Sequence, residues 1–373
     1  MPLSKIQFSE SLGRRNMIIN GGMQVAQRAT SATGIASSAY HALDRMYYYV
    51  ANHDELRTTM SQDSSVPTGA DVGFSKSLKL DCTTAESAIA ADENLRIWHI
   101  IEAQDLVRLG YGTSGAKTCT LSFYVKSSLT GTYALSFWCQ DTSRNVHKTY
   151  TINSANTWEK KIVTIPGDTG GVGINADNGE GMRINWFLNA GSNFTSTNTN
   201  GQWDTFAAGR HSFGHTAAWG TNTSHDFFLT GVQFEIGDEA SDFEHRSFEE
   251  ELHACKRYYQ KSFNYESQPA NGGSNGVSYD GAFLGYSGTN NSGALTDNWL
   301  FSPEMRATPT VTRYGNSSGY WGRMSMPNSS VTFDNGAGYI SNTKATGLNF
   351  GQNVAGNTHI CGFGHATAEA ELG

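Results

Sequence analysis

The feature that most constrains this chain is its hydrophobic rhythm. Apolar and polar residues alternate in short runs, and glycine-rich turns cut each run off. Leu121, Phe123 and Val125 alternate, and after Thr130-Gly131-Thr132 so do Tyr133, Leu135 and Phe137. From Trp158 to Ile165, one side carries Trp158, Lys160, Ile162 and Thr164 and the other Lys161, Val163 and Ile165, before Pro166-Gly167 ends the run. A period of two puts successive side chains on opposite faces of a strand. The two runs around Gly131 predict a hairpin. Met17–Ile19, Met182–Leu188 and Phe227–Ile236 read as further strands. Strands at intervals of roughly 8–25 residues, with no long helical pattern between them, predict an antiparallel sandwich or jelly roll.

Composition narrows the function classes. Charged residues make up 16% of the 373 residues, against about 25% in an average soluble protein. The net charge is −8, and no basic cluster exceeds two adjacent residues. A nucleic-acid footprint needs a concentrated basic patch, so no nucleic-acid partner is expected. No apolar run approaches the ~18 residues of a membrane helix, so no membrane insertion is expected. The first eight residues lack the apolar centre of a signal peptide, which predicts synthesis in a cytoplasm. Cys82, Cys119, Cys139, Cys255 and Cys361 are scattered and odd in number, the pattern of free buried thiols.

One helix stands out. Ser247 and Glu250 form a capping box, and Phe248, Leu252, Cys255 and Tyr259 then recur on one face. The pattern predicts a helix from Ser247 to about Phe263. Beyond it, Asn264–Asn275 reads as a loop. Short strands return at Tyr279–Tyr286, Trp299–Ser302, Thr308–Tyr314, Ser330–Asp334 and Thr358–Leu372. The expected organisation is a polar arm over 1–15, a jelly-roll domain over 16–246, a connecting helix over 247–263, and a smaller C-terminal β-domain over 264–373. The fold class is mainly β.

Several stretches of the first domain, taken in order, carry a resemblance. They are Asn16–Arg28, Leu43–Tyr47, Leu121–Ser127, Thr157–Asp168, Leu229–Gly237, Asp242–Leu252 and Cys255–Gln260. Together they resemble the jelly rolls of carbohydrate-binding modules, and more so the same domain in virion proteins of tailed bacteriophages. That resemblance implies a non-enzymatic virion surface protein, a tail fibre or host-attachment component that binds a receptor. It implies a homotrimer joined to other virion proteins, tail or capsid, through the N-terminal arm, and contact with a host glycan or receptor. A capsid-surface fibre or decoration protein, or a module whose main activity is polysaccharide binding, are the alternatives it leaves open.

Candidate sites follow from residue chemistry. Sugar recognition uses aromatic platforms with nearby hydrogen-bonding groups. The segment 194–226 supplies Trp203, Phe206, His211, His215 and Trp219 for such a contact, or for packing on the sandwich. Tyr47-Tyr48-Tyr49 reads as core. Arg14 and Arg15 end the arm and are the expected anchoring residues. His359, Cys361 and His365 share one strand face, where a metal on a threefold axis would find soft ligands. Asp168, Asp177, Asn178 and Glu180 form an oxygen-rich stretch suited to calcium. No cofactor is otherwise expected. Glu235, Glu239, Asp242 and Glu244 are clustered acids, but no nucleophile, Walker or metalloprotease motif accompanies them, and no enzymatic activity is expected.

Overall fold

The computed structural model describes residues 14–69, 72–196, 201–270, 283–287, 294–314, 321–326, 332–336, 338–353 and 359–373. The chain divides into two compact units: Met1–Ala26, Thr30–Glu251 and Leu372–Gly373 form one, and Gln27–Ala29 with Leu252–Glu371 form the other. No helix among the described residues is long and apolar enough to cross a membrane.

The first unit is an antiparallel β-sandwich of jelly-roll type. Its strands are β1 (Ser31–Ile35), β2 (Tyr47–Ala51), β3 (Arg57–Asp63), β4 (Ser77–Thr84), β5 (Asn94–Glu102), β6 (Cys119–Ser127), β7 (Gly131–Cys139), β8 (Arg144–Ile152), β9 (Glu159–Ile165), β10 (Glu180–Ala190), β11 (Asp204–Thr205) and β12 (Asp226–Ile236). One six-stranded sheet has the order β1-β3-β4-β12-β6-β9 and the other β11-β8-β7-β10-β5-β2. Between them lies one hydrophobic core, including Tyr48, Phe123, Tyr133, Phe137, Trp186, Trp219, Phe227 and Phe234, all fully buried. The alternation read from sequence holds along β9, where Val163 and Ile165 are buried while Ile162 is 55% exposed.

The expected hairpin around Gly131 is absent. β6 pairs with β9 and β12 in the first sheet, whereas β7 pairs with β8 and β10 in the second. The turn therefore carries the chain across the sandwich. Alternation fixes which residues face the core, but both sheets present the same pattern to it, so pairing partners are not encoded locally.

The opening segment also departs from expectation: Met17–Ile19 is not a strand. It runs beside β12, where Met17 N donates to Phe234 O at 2.9 Å and Val232 N donates to Gly21 O at 3.0 Å. The Asn16 side chain takes other backbone partners: Nδ2 donates to Val232 O, and Oδ1 accepts from Phe234 N and Ile18 N. A side chain thus satisfies backbone groups that a regular ladder would pair. Gly21 is required here, since a Cβ would lie 2.1 Å from the Val232 carbonyl oxygen.

The capping box forms as expected: Ser247 N donates to Glu250 Oε2 at 2.9 Å and Glu250 N to Ser247 Oγ at 3.3 Å. The helix, however, covers only Phe248–Lys256. Tyr259, expected on its apolar stripe, lies instead in β13 (Tyr259–Lys261), where pairing with the long strand β21 replaces further helical turns.

The second unit adds β14 (Phe283–Ser287), β15 (Ala294–Leu300), β16 (Thr310–Tyr314), β17 (Trp321–Met326), β18 (Thr332–Gly336), β19 (Gly338–Lys344), β20 (Gly347–Asn353) and β21 (His359–Glu369). β21 is the hub: β13, β14, β16 and β17 all pair with it, while β15, β20 and β19 form a separate three-stranded sheet. The small buried cluster contains Phe301, Met305, Leu348, Ala366, Ala368 and Ala370. β17, β19 and β20 escaped sequence reading. The Gly, Asn, Ser and Thr content of β19 and β20 is turn-like, and only the ladder makes those two strands.

Candidate functional site

The outward face of the second sheet concentrates the unusual chemistry of the first unit. Tyr48, Ile97, Ile184, Leu135 and Val146 point into the core, so their strand neighbours point out. Pairing lays Tyr47, Trp98, Asn185, Ser136 and His147 in one row across five strands. A flanking row holds Tyr49, Arg96 and Phe187, and the opposite one Arg183, Trp138 and Asn145.

These side chains form a continuous aromatic and cationic layer. Tyr47 stacks on Trp98 with ring centroids 4.5 Å apart and planes 2° from parallel. The Arg183 guanidinium lies 4.0 Å from the Trp98 ring centre and 5.0 Å from that of Trp138. Trp138 in turn stacks on Phe206 at 4.7 Å. Arg96 lies 4.4 Å from the Tyr49 ring centre, 5.1 Å from Trp98 and 5.2 Å from Phe187. Such cation–π contacts contribute about 0.5–2 kcal/mol each, more as water is excluded.

The segment after β10 folds back onto this face. β11 pairs with β8, and Phe206 N donates to Ser143 O at 2.8 Å, which seats Phe206 on Trp138. His211 is buried against Phe187, Phe206 and Trp138. Arg96 Nη1 donates to His211 Nδ1 at 2.9 Å. A guanidinium only donates, so His211 is neutral and carries its proton on Nε2. Burial holds His211 well below the usual imidazole range, and it pulls His147 down to about 4. Burial likewise lowers Arg96 to about 9, helped by the neighbouring Arg183 charge.

Several polar atoms on this face are enclosed without a hydrogen-bond partner: Trp98 Nε1, Trp138 Nε1, Ser136 Oγ, Asn185 Oδ1, both amide atoms of Asn145, and Arg96 Nε. Buried polar groups are normally paired. These atoms are shut off from solvent, as are Trp98, Ser136, Asn185 and Asn145 as whole residues, and the half-buried rings of the face are Tyr47, Tyr49, Trp138 and Phe206.

Of the five aromatic and histidine residues nominated from sequence, the fold brings two, Phe206 and His211, to this face. The other three have structural placements. Trp219 has no exposed surface and belongs to the core, so it offers no platform. His215 bridges two strands: Ala134 N donates to its Nδ1 at 3.2 Å, and its Nε2 lies 3.1 Å from Leu188 O. Trp203 packs edge-on against Tyr111 and donates to Pro166 O at 2.7 Å. Tyr47 and Tyr49, read as core, face outward and are half-buried, and only Tyr48 enters the core. Trp98, Arg96, Trp138, Arg183 and Asn185 were missed. The signal was present: in Asn94–Glu102, Arg96 and Trp98 occupy the positions that alternate with core-facing Leu95 and Ile97.

The remaining candidates disperse. Asp168 is bound by Arg144 Nε at 2.9 and 2.7 Å, and Glu180 by Arg183, so the stretch 168–180 makes no shared calcium cage. His365 is buried, stacked on Phe263 at 4.1 Å, and 3.0 Å from Ser262 Oγ. The side chains of His359 and Cys361 lie outside the described residues. Glu235 accepts from Gln233 Nε2, Ser241 N and Ser241 Oγ, and Glu244 accepts from Asn16 N. These acids staple the chain after β12. Arg14 and Arg15 are exposed; Arg108 donates to Arg14 O, and Arg15 donates to Asp242 O. Residues 1–13 of the expected arm lie outside the described residues.

No family model matches the sequence, and no curated protein matches it. Among solved structures, the enzymatically active domain of tailspike protein 4 of bacteriophage CBA120 aligns over 60% of this chain and 21% of its own, at 12% identity and a TM-score of 0.30. A family 11 carbohydrate-binding module from Clostridium thermocellum aligns over 58% of this chain and 98% of its own, at 11% identity and a TM-score of 0.28. A family 61 module in complex with β-1,4-galactotriose aligns over 60% and 99%, at 7% identity and a TM-score of 0.25. Scores this low leave the function to be argued from the chain's own residues.

Proposed function

We propose that this chain is a non-catalytic glycan-binding protein whose sugar contact is the outward face of the second sheet. The observation that carries the proposal is the set of half-buried rings Tyr47, Tyr49, Trp138 and Phe206, held in place by the buried Trp98 and Arg183 side chains. The apolar faces of a pyranose stack on aromatic rings, and its hydroxyls require donors and acceptors at the ring edges. The half-buried rings of this face supply the first, and the Tyr47 and Tyr49 hydroxyls are the groups proposed for the second. The sequence resemblance supports a setting for it: a phage virion surface, as a homotrimeric tail-fibre or host-attachment component made in the host cytoplasm.

The test is a host-polysaccharide array followed by titration calorimetry. Wild type is expected to bind a defined glycan. Trp138→Ala, at a half-buried position, is expected to weaken binding at least tenfold, and Trp203→Ala to leave it unchanged. Equal binding by wild type and Trp138→Ala overturns the assignment of the face. New reducing ends released from the bound polysaccharide overturn its non-catalytic part. A monomer by light scattering removes the trimer.

A further inference from the structure

Away from the aromatic face, three side chains from the loops that follow β2 and β4 and precede β5 converge. His53 Nδ1 lies 3.5 Å from Glu86 Oε1 and 3.4 Å from Glu93 Oε2. The candidate donor atoms of the three residues all lie within 4.8 Å of one another. The His53 side chain is 0% exposed, and the two carboxylates 8% and 7%. Neither ring nitrogen of His53 makes a hydrogen bond of good geometry. The carboxylates are aimed by the backbone: Glu86 Oε1 accepts from Glu55 N at 3.0 Å and Leu56 N at 2.9 Å, and Glu93 Oε2 from Ala90 N at 2.8 Å. Among the described residues, no lysine or arginine pairs with either acid.

We propose that His53, Glu86 and Glu93 form a binding site for a divalent transition-metal cation of the zinc class. Two enclosed carboxylates with no lysine or arginine partner are costly unless a cation compensates them. The spacing fits zinc. With bonds of about 2.1 Å, the edges of a tetrahedral zinc shell are about 3.4 Å long, and the two nitrogen-to-oxygen separations are 3.5 and 3.4 Å. One imidazole with two carboxylates suits zinc or its neighbours. Calcium takes six to eight oxygen ligands and does not match this set. Three protein ligands leave a fourth position for water.

The test uses the full chain, stripped with chelator and dialysed, then titrated with zinc chloride and separately with calcium chloride. The expected result is one equivalent of zinc bound at micromolar or tighter affinity, a raised Tm, and no comparable response to calcium. Glu93→Gln and His53→Gln are each expected to weaken zinc binding at least tenfold, the range seen when a metal shell is disturbed. Should either variant fail to fold, cobalt(II) added to wild type decides. A visible band of four-coordinate cobalt, without sulfur-to-metal charge transfer, supports nitrogen and oxygen ligation. No uptake of either metal overturns the proposal in favour of an imidazolium held between two carboxylates. Zinc binding unchanged in a folded His53→Gln variant overturns it in favour of another site.

Discussion

Replacing His215 with glutamine should make the protein less sensitive to acid. In the folded chain, Ala134 N donates to His215 Nδ1 at 3.2 Å, and the other ring nitrogen faces Leu188 O at 3.1 Å. Protonation would turn Nδ1 from acceptor to donor and point it at an N–H group. Burial, the main cause, lowers the His215 pKa from 6.5 to about 4. The native state therefore takes up this proton later than the unfolded chain does. Between those two values the unfolded state binds more protons, so stability is complete above pH 6.5 and falls as pH drops toward 4. At about 1.36 kcal/mol per pH unit, the full loss is about 3.4 kcal/mol, of which about 2 kcal/mol has occurred by pH 5. Glutamine reproduces one acceptor and one donor on a side chain that does not titrate. Urea unfolding of wild type and His215→Gln at pH 7.5 and pH 5 measures the difference. The variant should lose about 2 kcal/mol less than wild type over that interval. An identical pH dependence in a variant with native near-ultraviolet circular dichroism would refute the reasoning.

Other substitutions probe other links in the same chain of cause. Gly21→Ala forces a methyl group to 2.1 Å from a backbone carbonyl, and should lower stability by more than the ~1 kcal/mol or less of an unstrained glycine exchange; a neutral midpoint in urea would show that the segment can shift away from β12. Phe234→Ala empties a fully buried site in the sandwich core and should cost about 3–5 kcal/mol by the same measurement; a loss below about 1 kcal/mol would mean the two sheets close over the void. Ser247→Ala removes one half of the capping box and should cost about 1 kcal/mol, read as a lower Tm; no change would show that the cap contributes little to a helix held by its packing.

The sequence by itself determined what is local. Alternation along Glu159–Ile165 put Val163 and Ile165 on one face and Ile162 on the other, and the sandwich buries the first face and exposes Ile162. Ser247 and Glu250 fixed the start of the helix, because a cap is made within one turn. Low charge and frequent turns were enough for an all-β sandwich. What depends on distant partners was settled only in three dimensions. β6 and β7 look like a hairpin, yet they join different sheets, since a core-facing strand carries no label for its neighbour. The helix ends at Lys256, and Tyr259 pairs instead with the distant Glu369 of β21 in a ladder. The aromatic face was legible as separate residues but not as a site. Its rows are assembled from β2, β5, β10, β7 and β8 by register, and register is a property of the paired sheet rather than of any one strand.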